Sequence, residues 1–434
     1  LRVMLYLLCI VYALVLLTLA RPHTEDGLIH QVGKNCALVG FALVALQAVL
    51  AARFKWIERP FGMDMVIRFH KAAAILALVF LSLHPMLVAW GNHHGWLLYQ
   101  LDIRWPVWLG RLALLALAVN IVTSLARRKL RIKFERWRAL HNVLGIGIAC
   151  FGFVHSYRIG GDLTSPTMRV FWAAGFASVA TVYFFHKIVR PAWLRHNQYE
   201  VTGVLQEAPK VWTVRLRPMS GMGITPYAPG QFQFTTFHRN PDLPVEEHHW
   251  TISSTPTRPC DVAMTIKESG DFTSTIGATM VGDKAEVLGP YGRFSYLLYP
   301  DEKDLLFLCA GIGITPFLSM LRHMHDTKAA KNVLLLWGNR SEKDIVAREE
   351  LVQIGLSGAP RLEVVYFLSK PSEGWKGECG HIDMNAVRRF LVPAELAVRG
   401  IYLCCPPDML RQLLRELRAS GMSGERIHYE LFSL

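Results

Sequence analysis

Cysteine is scarce, 8 in 434 residues. Cys9, Cys36, Cys150, Cys260, Cys309, Cys379, Cys404 and Cys405 form no ladder of the kind that staples small secreted domains. Most therefore read as buried thiols on the reducing side of a membrane. Acidic residues are also in deficit, 34 against 47 basic ones, for a net charge of +13. Zinc-finger spacing, interleaved basic and aromatic patches and helix-turn-helix cues are all missing, which argues against nucleic acid as a partner. No EF-hand loop is found, so direct calcium control of that kind is not expected. The basic excess sits in short segments between apolar runs, where a positive-inside bias accounts for it.

What the chain has in quantity is apolar sequence: 52% of its residues are hydrophobic and its mean hydropathy is +0.25. Nearly all long apolar runs lie before Val189, which predicts a membrane domain over 1–190 and a soluble module after it. A bilayer core needs roughly 20 apolar residues per helix. Six segments qualify: Leu1–Ala20, Asn35–Ala52, Val66–Trp90, Pro106–Ala126, Ala139–Tyr157 and Arg169–Val189. The first can also be read as a signal peptide ending at Thr18, Leu19 and Ala20, although its run is longer than a signal core. Arg53, Lys55, Arg59 and Arg68 flank the second connection, seven basic residues from Arg127 to Arg138 crowd the fourth, and Lys187, Arg190 and Arg195 follow the sixth span. These loops and the C-terminal module are expected on the cytoplasmic side. Spans three and five then run parallel, from inside to outside.

Span three carries His70 and His84, and span five carries His141 and His155, each pair 14 positions apart. At ~100° per residue, 14 steps return to within about 40° of the same face with a rise of ~21 Å. His70 then faces His141 near one leaflet and His84 faces His155 near the other. Each gap suits one porphyrin with two axial nitrogens, and no Met or Cys competes on these faces. Buried interhelical hydrogen bonding is the plainer alternative, but repeated spacing on two parallel spans argues for ligands. His186, at the end of span six, reads as snorkelling. Gly145, Gly147 and Gly152 thin the fifth helix for a flat macrocycle or for helix packing. Phe151 and Phe153 lie between the two ligand levels, as a shortened electron path or as lipid-facing rings. Pro85 is expected to kink span three by freeing the Leu81 carbonyl.

From Asn197 the pattern changes to short alternating runs, Tyr199 to Val204 and Val211 to Leu216, the mark of a small antiparallel barrel over 197–300. Pro229, Gly230 and Gln231 turn into a further strand at Phe232. His248, His249, Trp250, Thr251, Ile252, Ser253 and Ser254 offer backbone groups and hydroxyls to a flavin, with Trp250 covering ring surface. Lys267, Gly270, Thr273 and Ser274 suit a pyrophosphate. Gly289 to Phe294 closes the barrel. Residues 301–434 alternate strand and helix, as an α/β nucleotide-binding sheet does. A buried strand from Leu305 runs into Gly311, Ile312, Gly313, Ile314, Thr315 and Pro316, where glycines admit a phosphate at a helix N-terminus. Asn339 and Arg340 end a second strand, and Cys404, Cys405, Pro406 and Met409 follow a third.

Taken in order, these motifs resemble those of the NADPH oxidase and ferric reductase superfamily, of bacterial type, over essentially the whole chain. The resemblance implies a six-helix ferric-reductase-like membrane domain fused to a ferredoxin–NADP reductase-like module in the inner membrane. It implies that His70, His84, His141 and His155 bind two b-type haems, and that His248 to Ser254 and Thr273 line FAD. It implies that Gly311 to Pro316 face NADPH or NADH, that Cys404 lies near the nicotinamide, and that Phe432 stacks on the flavin. His249, Trp250 and Cys405 replace the motifs' Pro, Phe and Gly. Val88 stands where superoxide-producing animal members carry a further histidine.

The expected chemistry is transfer of electrons from cytoplasmic NAD(P)H through FAD and two haems to oxygen or a ferric chelate outside. A haem-binding sensor or anchor with a degenerate reductase module, and a tethered flavin reductase without haem, are the rival readings. Arg340, placed where NAD-selective sheets carry an acid, favours NADPH.

Overall fold

A computed structural model describes residues 27–220, 226–258 and 260–430. The expected first span, Leu1–Ala20, and Phe432 lie outside the described residues. The chain divides into two compact units, Leu1–Arg190 and Pro191–Leu434.

In the first unit, five helices are long and apolar enough to cross a membrane among the described residues. They are α1 (Leu28–Ala51), α3 (Met63–Gly91), α4 (Trp105–Leu125), α5 (Phe134–Ile159) and α6 (Pro166–Phe184), with a short α2 (Lys55–Phe61) before α3. The helix of α6 runs on through a wider turn, Phe185–Val189, to His196. Helices α1, α3 and α5 outrun their expected apolar stretches because charged residues continue a helix beyond the hydrocarbon; α5, for example, starts among Glu135, Arg136 and Arg138. Pro85 lies inside α3, which the structure carries through it as one element. Large apolar side chains such as Val79, Leu115, Val143 and Val170 are exposed, the pattern of helices whose solvent is lipid. Where α1 meets α3, small residues set the approach. A Cβ on Gly40 would stand 2.6 Å from Leu81 Cγ, and one on Gly33 3.0 Å from Leu87 Cβ.

The second unit holds two six-stranded sheets. The first is antiparallel: β1 (Tyr199–Ala208), β2 (Val211–Pro218), β3 (Phe232–His238), β4 (Glu247–Thr251), β5 (Val262–Lys267) and β6 (Lys284–Tyr291) lie in the order β4-β3-β6-β1-β2-β5. Its two edges approach each other just past β4, where Ser253 N donates to Ala263 O at 2.8 Å. Alternating strands put Val201, Val214, Leu216, Phe237 and Met264 into its core.

The second sheet is parallel. It is built from β7 (Asp304–Ala310), β8 (Asn332–Asn339), β9 (Arg361–Leu368), β10 (Glu378–Cys379), β11 (Gly400–Cys404) and β12 (Ile427–Tyr429), in the order β10-β9-β8-β7-β11-β12. Helices α7 (Thr315–Asp326), α8 (Arg348–Leu356), α9 (Met384–Phe390), α10 (Pro393–Val398) and α11 (Pro407–Ala419) cover its faces. Its central strands read as unbroken apolar runs because both sides are buried. The chain moves from β7 to β8 on one side and later returns to β11 on the other. The carboxyl end of β7 is therefore the point where strand order reverses, and ligands of such sheets bind in that crevice.

Candidate functional site

The two histidine pairs of the membrane unit meet as their spacing requires. The imidazole centres of His70 and His141 are 6.2 Å apart, and those of His84 and His155 are 6.4 Å apart. Matching in this order means that α3 and α5 run parallel. A ring nitrogen lies about 1.1 Å from the imidazole centre, and metal–imidazole bonds run about 2.0–2.1 Å. Two imidazoles trans on one ion therefore stand about 6.2–6.4 Å apart. Direct hydrogen bonding between rings would bring them closer, and none joins either pair.

The Nδ1 atoms have their own surroundings. His84 Nδ1 is 3.0 Å from the Gly33 carbonyl, and His155 Nδ1 is 2.8 Å from the Pro106 carbonyl. A carbonyl only accepts, so both rings carry their proton on Nδ1 and leave Nε2 as the free electron pair, the arrangement of a metal-binding histidine. His141 Nδ1 lies 3.5 Å from Ser124 Oγ. Asn120 Nδ2 donates to the His141 carbonyl, and Trp137 Nε1 donates to Ser124 Oγ. His70 Nδ1 is buried with no partner. Among the described residues no group of three or more His, Cys, Asp or Glu converges on a point. Two imidazoles alone hold an ion weakly, so a macrocycle with four nitrogens of its own fits this donor set. Gly145, one turn from His141, has open space where a Cβ would point. Gly152 instead accommodates the ring of Phe41. Phe153 stacks on Phe176 of α6 at 4.2 Å, and Phe151 is exposed; neither ring contacts an imidazole.

In the antiparallel sheet, the residues expected to meet a flavin divide between two faces of β4. His249 and Thr251 pair across from Phe234 and Phe232, and His249 touches both rings. His248 and Trp250 lie on the opposite face, where His248 packs on Phe272 at 4.2 Å. Trp250 Nε1 and Thr251 Oγ1 are buried and unpartnered, so each face presents one polar group that a ligand could satisfy.

Ile252 and Ser253 are fully buried. Their neighbourhood is a joint: Arg322 Nη1 donates to the Ser253 carbonyl, Ser319 Oγ to the Ser254 carbonyl, and Tyr227 OH meets Ser254 Oγ. Arg322 also holds Glu350 through two hydrogen bonds. This link between α7 and the segment after β4 was not visible in the sequence. Thr273 Oγ1 accepts from the amides of Ser269 and Gly270 and so shapes their turn. Ser274 remains exposed, with its hydroxyl on the Asp271 carbonyl.

At the reversal point of the parallel sheet, Gly311 has φ +54°, and its carbonyl accepts from Trp337 Nε1. Gly313 is demanded by contact: a Cβ there would stand 2.1 Å from the Cys404 carbonyl oxygen. Ile314, Thr315 and Pro316 point inward and are buried. Asn339, at the end of β8, is buried with both amide atoms unpartnered. A small cleft joins it to Gly311, Ile312 and Lys267. The structure thus puts Lys267, read above as a pyrophosphate group for the flavin, beside the nucleotide turn. Arg340 is exposed and forms no ion pair among the described residues, since Glu342 bonds Ser372 and Asp344 caps Ser341. Pro406 is exposed and Met409 half-buried at the start of α11.

Cys404 is wholly enclosed. Burial, with the Glu430 carboxylate adding to it, holds its thiol well above the ordinary range, and burial does the same for Cys309. Iodoacetamide is accordingly expected to label Cys260 and Cys379, which are exposed, and to spare Cys309 and Cys404 until the protein unfolds. Peptide mass spectrometry reads the pattern; labelling of Cys404 as fast as Cys379 would contradict a closed β11 end.

The chain is similar to known proteins in both halves. The family described as Ferric reductase like transmembrane component matches residues 36–153. The family described as Oxidoreductase NAD-binding domain matches residues 307–414. The Glycine betaine monooxygenase reductase subunit of Chromohalobacter salexigens is 31% identical over 264 residues, which cover 58% of this chain and 68% of that protein. The Propane 2-monooxygenase reductase component of Mycolicibacterium goodii is 28% identical over 54% of this chain and 67% of its own. The crystal structure of the cytochrome b5 reductase domain of Ulva prolifera nitrate reductase has 22% identity and a TM-score of 0.47, covering 54% of this chain and 96% of that one.

Proposed function

Since this chain belongs to the ferric reductase and NADPH oxidase superfamily of electron-transfer oxidoreductases, we propose that it passes electrons from cytoplasmic NAD(P)H through FAD and two b-type haems to oxygen or a ferric chelate outside. The observation that carries this reading is the pair of imidazole separations, 6.2 and 6.4 Å, on two parallel helices. When bound, FAD exchanges a hydride for single electrons and the haems carry them singly across the bilayer. In this reading residues 197–300 hold FAD and 301–434 hold the nucleotide. Thr251 and Trp250 offer the flavin their unpartnered groups, and Asn339 with the open Gly311 turn receives the nucleotide. Nε2 of each histidine binds iron. With an imidazole of this chain on either side, each haem would offer the acceptor its periphery.

The test is addition of NADPH to the purified full chain under nitrogen. Reduced haem bands are expected to rise with FAD present. Flavin bleaching without any haem band would make the protein a tethered flavin reductase, and haem that stays oxidised would make it a sensor or anchor. Sealed vesicles assayed for superoxide and for ferrous iron then identify the acceptor.

Nucleotide choice rests on Arg340, whose free guanidinium can pair bidentately with a 2′-phosphate. Arg340→Ala is expected to raise KM for NADPH about tenfold or more, the scale of a charge-assisted contact of roughly 1.5–3 kcal/mol, with NADH nearly unaffected. Equal losses with both nucleotides would return Arg340 to a structural role.

A further inference from the structure

We infer that Gly110 is a positioning residue for His155: its missing side chain opens the first turn of α4 so that the imidazole lies against the helix and reaches the Pro106 carbonyl. The inference rests on the reading of His84 and His155 as axial ligands of one haem.

Three observations meet at this point. A Cβ on Gly110 would stand 2.7 Å from both Cε1 and Nδ1 of His155 and 3.0 Å from its Cγ. Real side chains do not tolerate such contacts, so even alanine forces the ring to move. The ring is also tethered, because His155 Nδ1 lies 2.8 Å from the Pro106 oxygen. Pro106 and Gly110 are four residues apart, one above the other on the same helix face. The carbonyl of residue i in a helix already accepts from the amide of i+4, and its second lone pair is reachable only where that next turn carries nothing bulky. Glycine at 110 meets that condition.

The consequence concerns orientation. With the proton fixed on Nδ1, Nε2 is the nitrogen left for a metal, and the 6.4 Å separation from His84 is the distance two axial imidazoles need. A methyl at 110 displaces the ring from this position and costs it the Pro106 bond. The other pair depends on no such turn: His141 is flanked by Ser124 instead, and a Cβ on Gly145 would meet nothing. The effect of Gly110→Ala should therefore be confined to one haem of the two.

The experiment compares the full-length protein with Gly110→Ala and with Gly40→Ala, a control that crowds Leu81 without touching an imidazole. Haem is counted by pyridine haemochrome, coordination by low-temperature electron paramagnetic resonance, and an opened iron by carbon monoxide binding. Native protein is expected to show two low-spin haems that ignore carbon monoxide. Gly110→Ala should either lose one haem, halving the content, or convert one to a species that binds carbon monoxide, while the second keeps its signals. Gly40→Ala should keep both. Two unaltered low-spin haems in Gly110→Ala overturn the inference, and so does loss of both haems together, which would make Gly110 a packing residue of the whole bundle. Absence of haem from the native protein is a separate result: it removes the ligand reading itself.

Discussion

His70→Ala and His141→Ala should each yield a protein with one haem instead of two, and NADPH should no longer reduce the haem that remains. His84→Ala and His155→Ala should also leave one haem, but that one should still be reduced, while delivery to an outside acceptor stops. The asymmetry follows from order along the helices. His70 and His141 form the pair nearer the basic loops that are expected on the cytoplasmic side, so removing it breaks the route before its first station. The effect should be close to total, because each pair supplies both protein ligands of its site. Loss of one imidazole also strands its partner as a lone polar ring among apolar helices. Pyridine haemochrome and anaerobic reduction spectra decide the matter: four variants that all retain two haems per chain would falsify the ligand assignment.

Gly313→Val should slow reduction of the flavin by either nucleotide at least tenfold while FAD stays bound. The added Cβ would fall 2.1 Å from the Cys404 carbonyl oxygen and 2.9 Å from its carbon. Both atoms are backbone in a buried central strand, so neither can swing aside as a flexible side chain could. Either the turn after β7 lifts or β11 shifts, and overpacking of this kind costs about 1–3 kcal/mol. That displacement falls on the crevice between β7 and β11, where the nucleotide binds in this reading. Gly311→Ala is the milder comparison: its φ of +54° strains alanine, at a cost of about 1–2 kcal/mol, but open space surrounds the new methyl. Stopped-flow bleaching of the flavin should therefore slow at least tenfold in Gly313→Val and less in Gly311→Ala. Equal rates in the native protein and Gly313→Val would mean that the crevice does not govern hydride transfer.

The histidine pairs were legible because their geometry is local. Rise and rotation per residue belong to any α-helix, so a 14-residue interval on two parallel spans already places four imidazoles at two levels. The turn at 311 to 313 was legible for a similar reason, since a buried apolar strand that runs into glycines marks the junction of strand and helix. The surroundings of the hydroxyls after β4 were not legible. Ser253 looks like a flavin contact in the sequence, yet its place inside the joint with α7 buries it fully.

By itself the sequence determined the long apolar helices, the alternation of strand and helix in the last third, and the pairing of His70 with His141 and of His84 with His155. Each of these depends on periodicity along one segment, or on two segments whose directions the loop charges set. Tertiary structure alone decided which atoms surround those residues: the Gly33 and Pro106 carbonyls beside His84 and His155, Ser124 beside His141, and Arg322 under Ser253. It also brought Lys267 beside Gly311 and Asn339. These contacts join residues far apart in the chain, through side chains whose neighbours are chosen by packing. No interval in the sequence encodes these atomic neighbours until the fold has fixed which side chains and carbonyls touch.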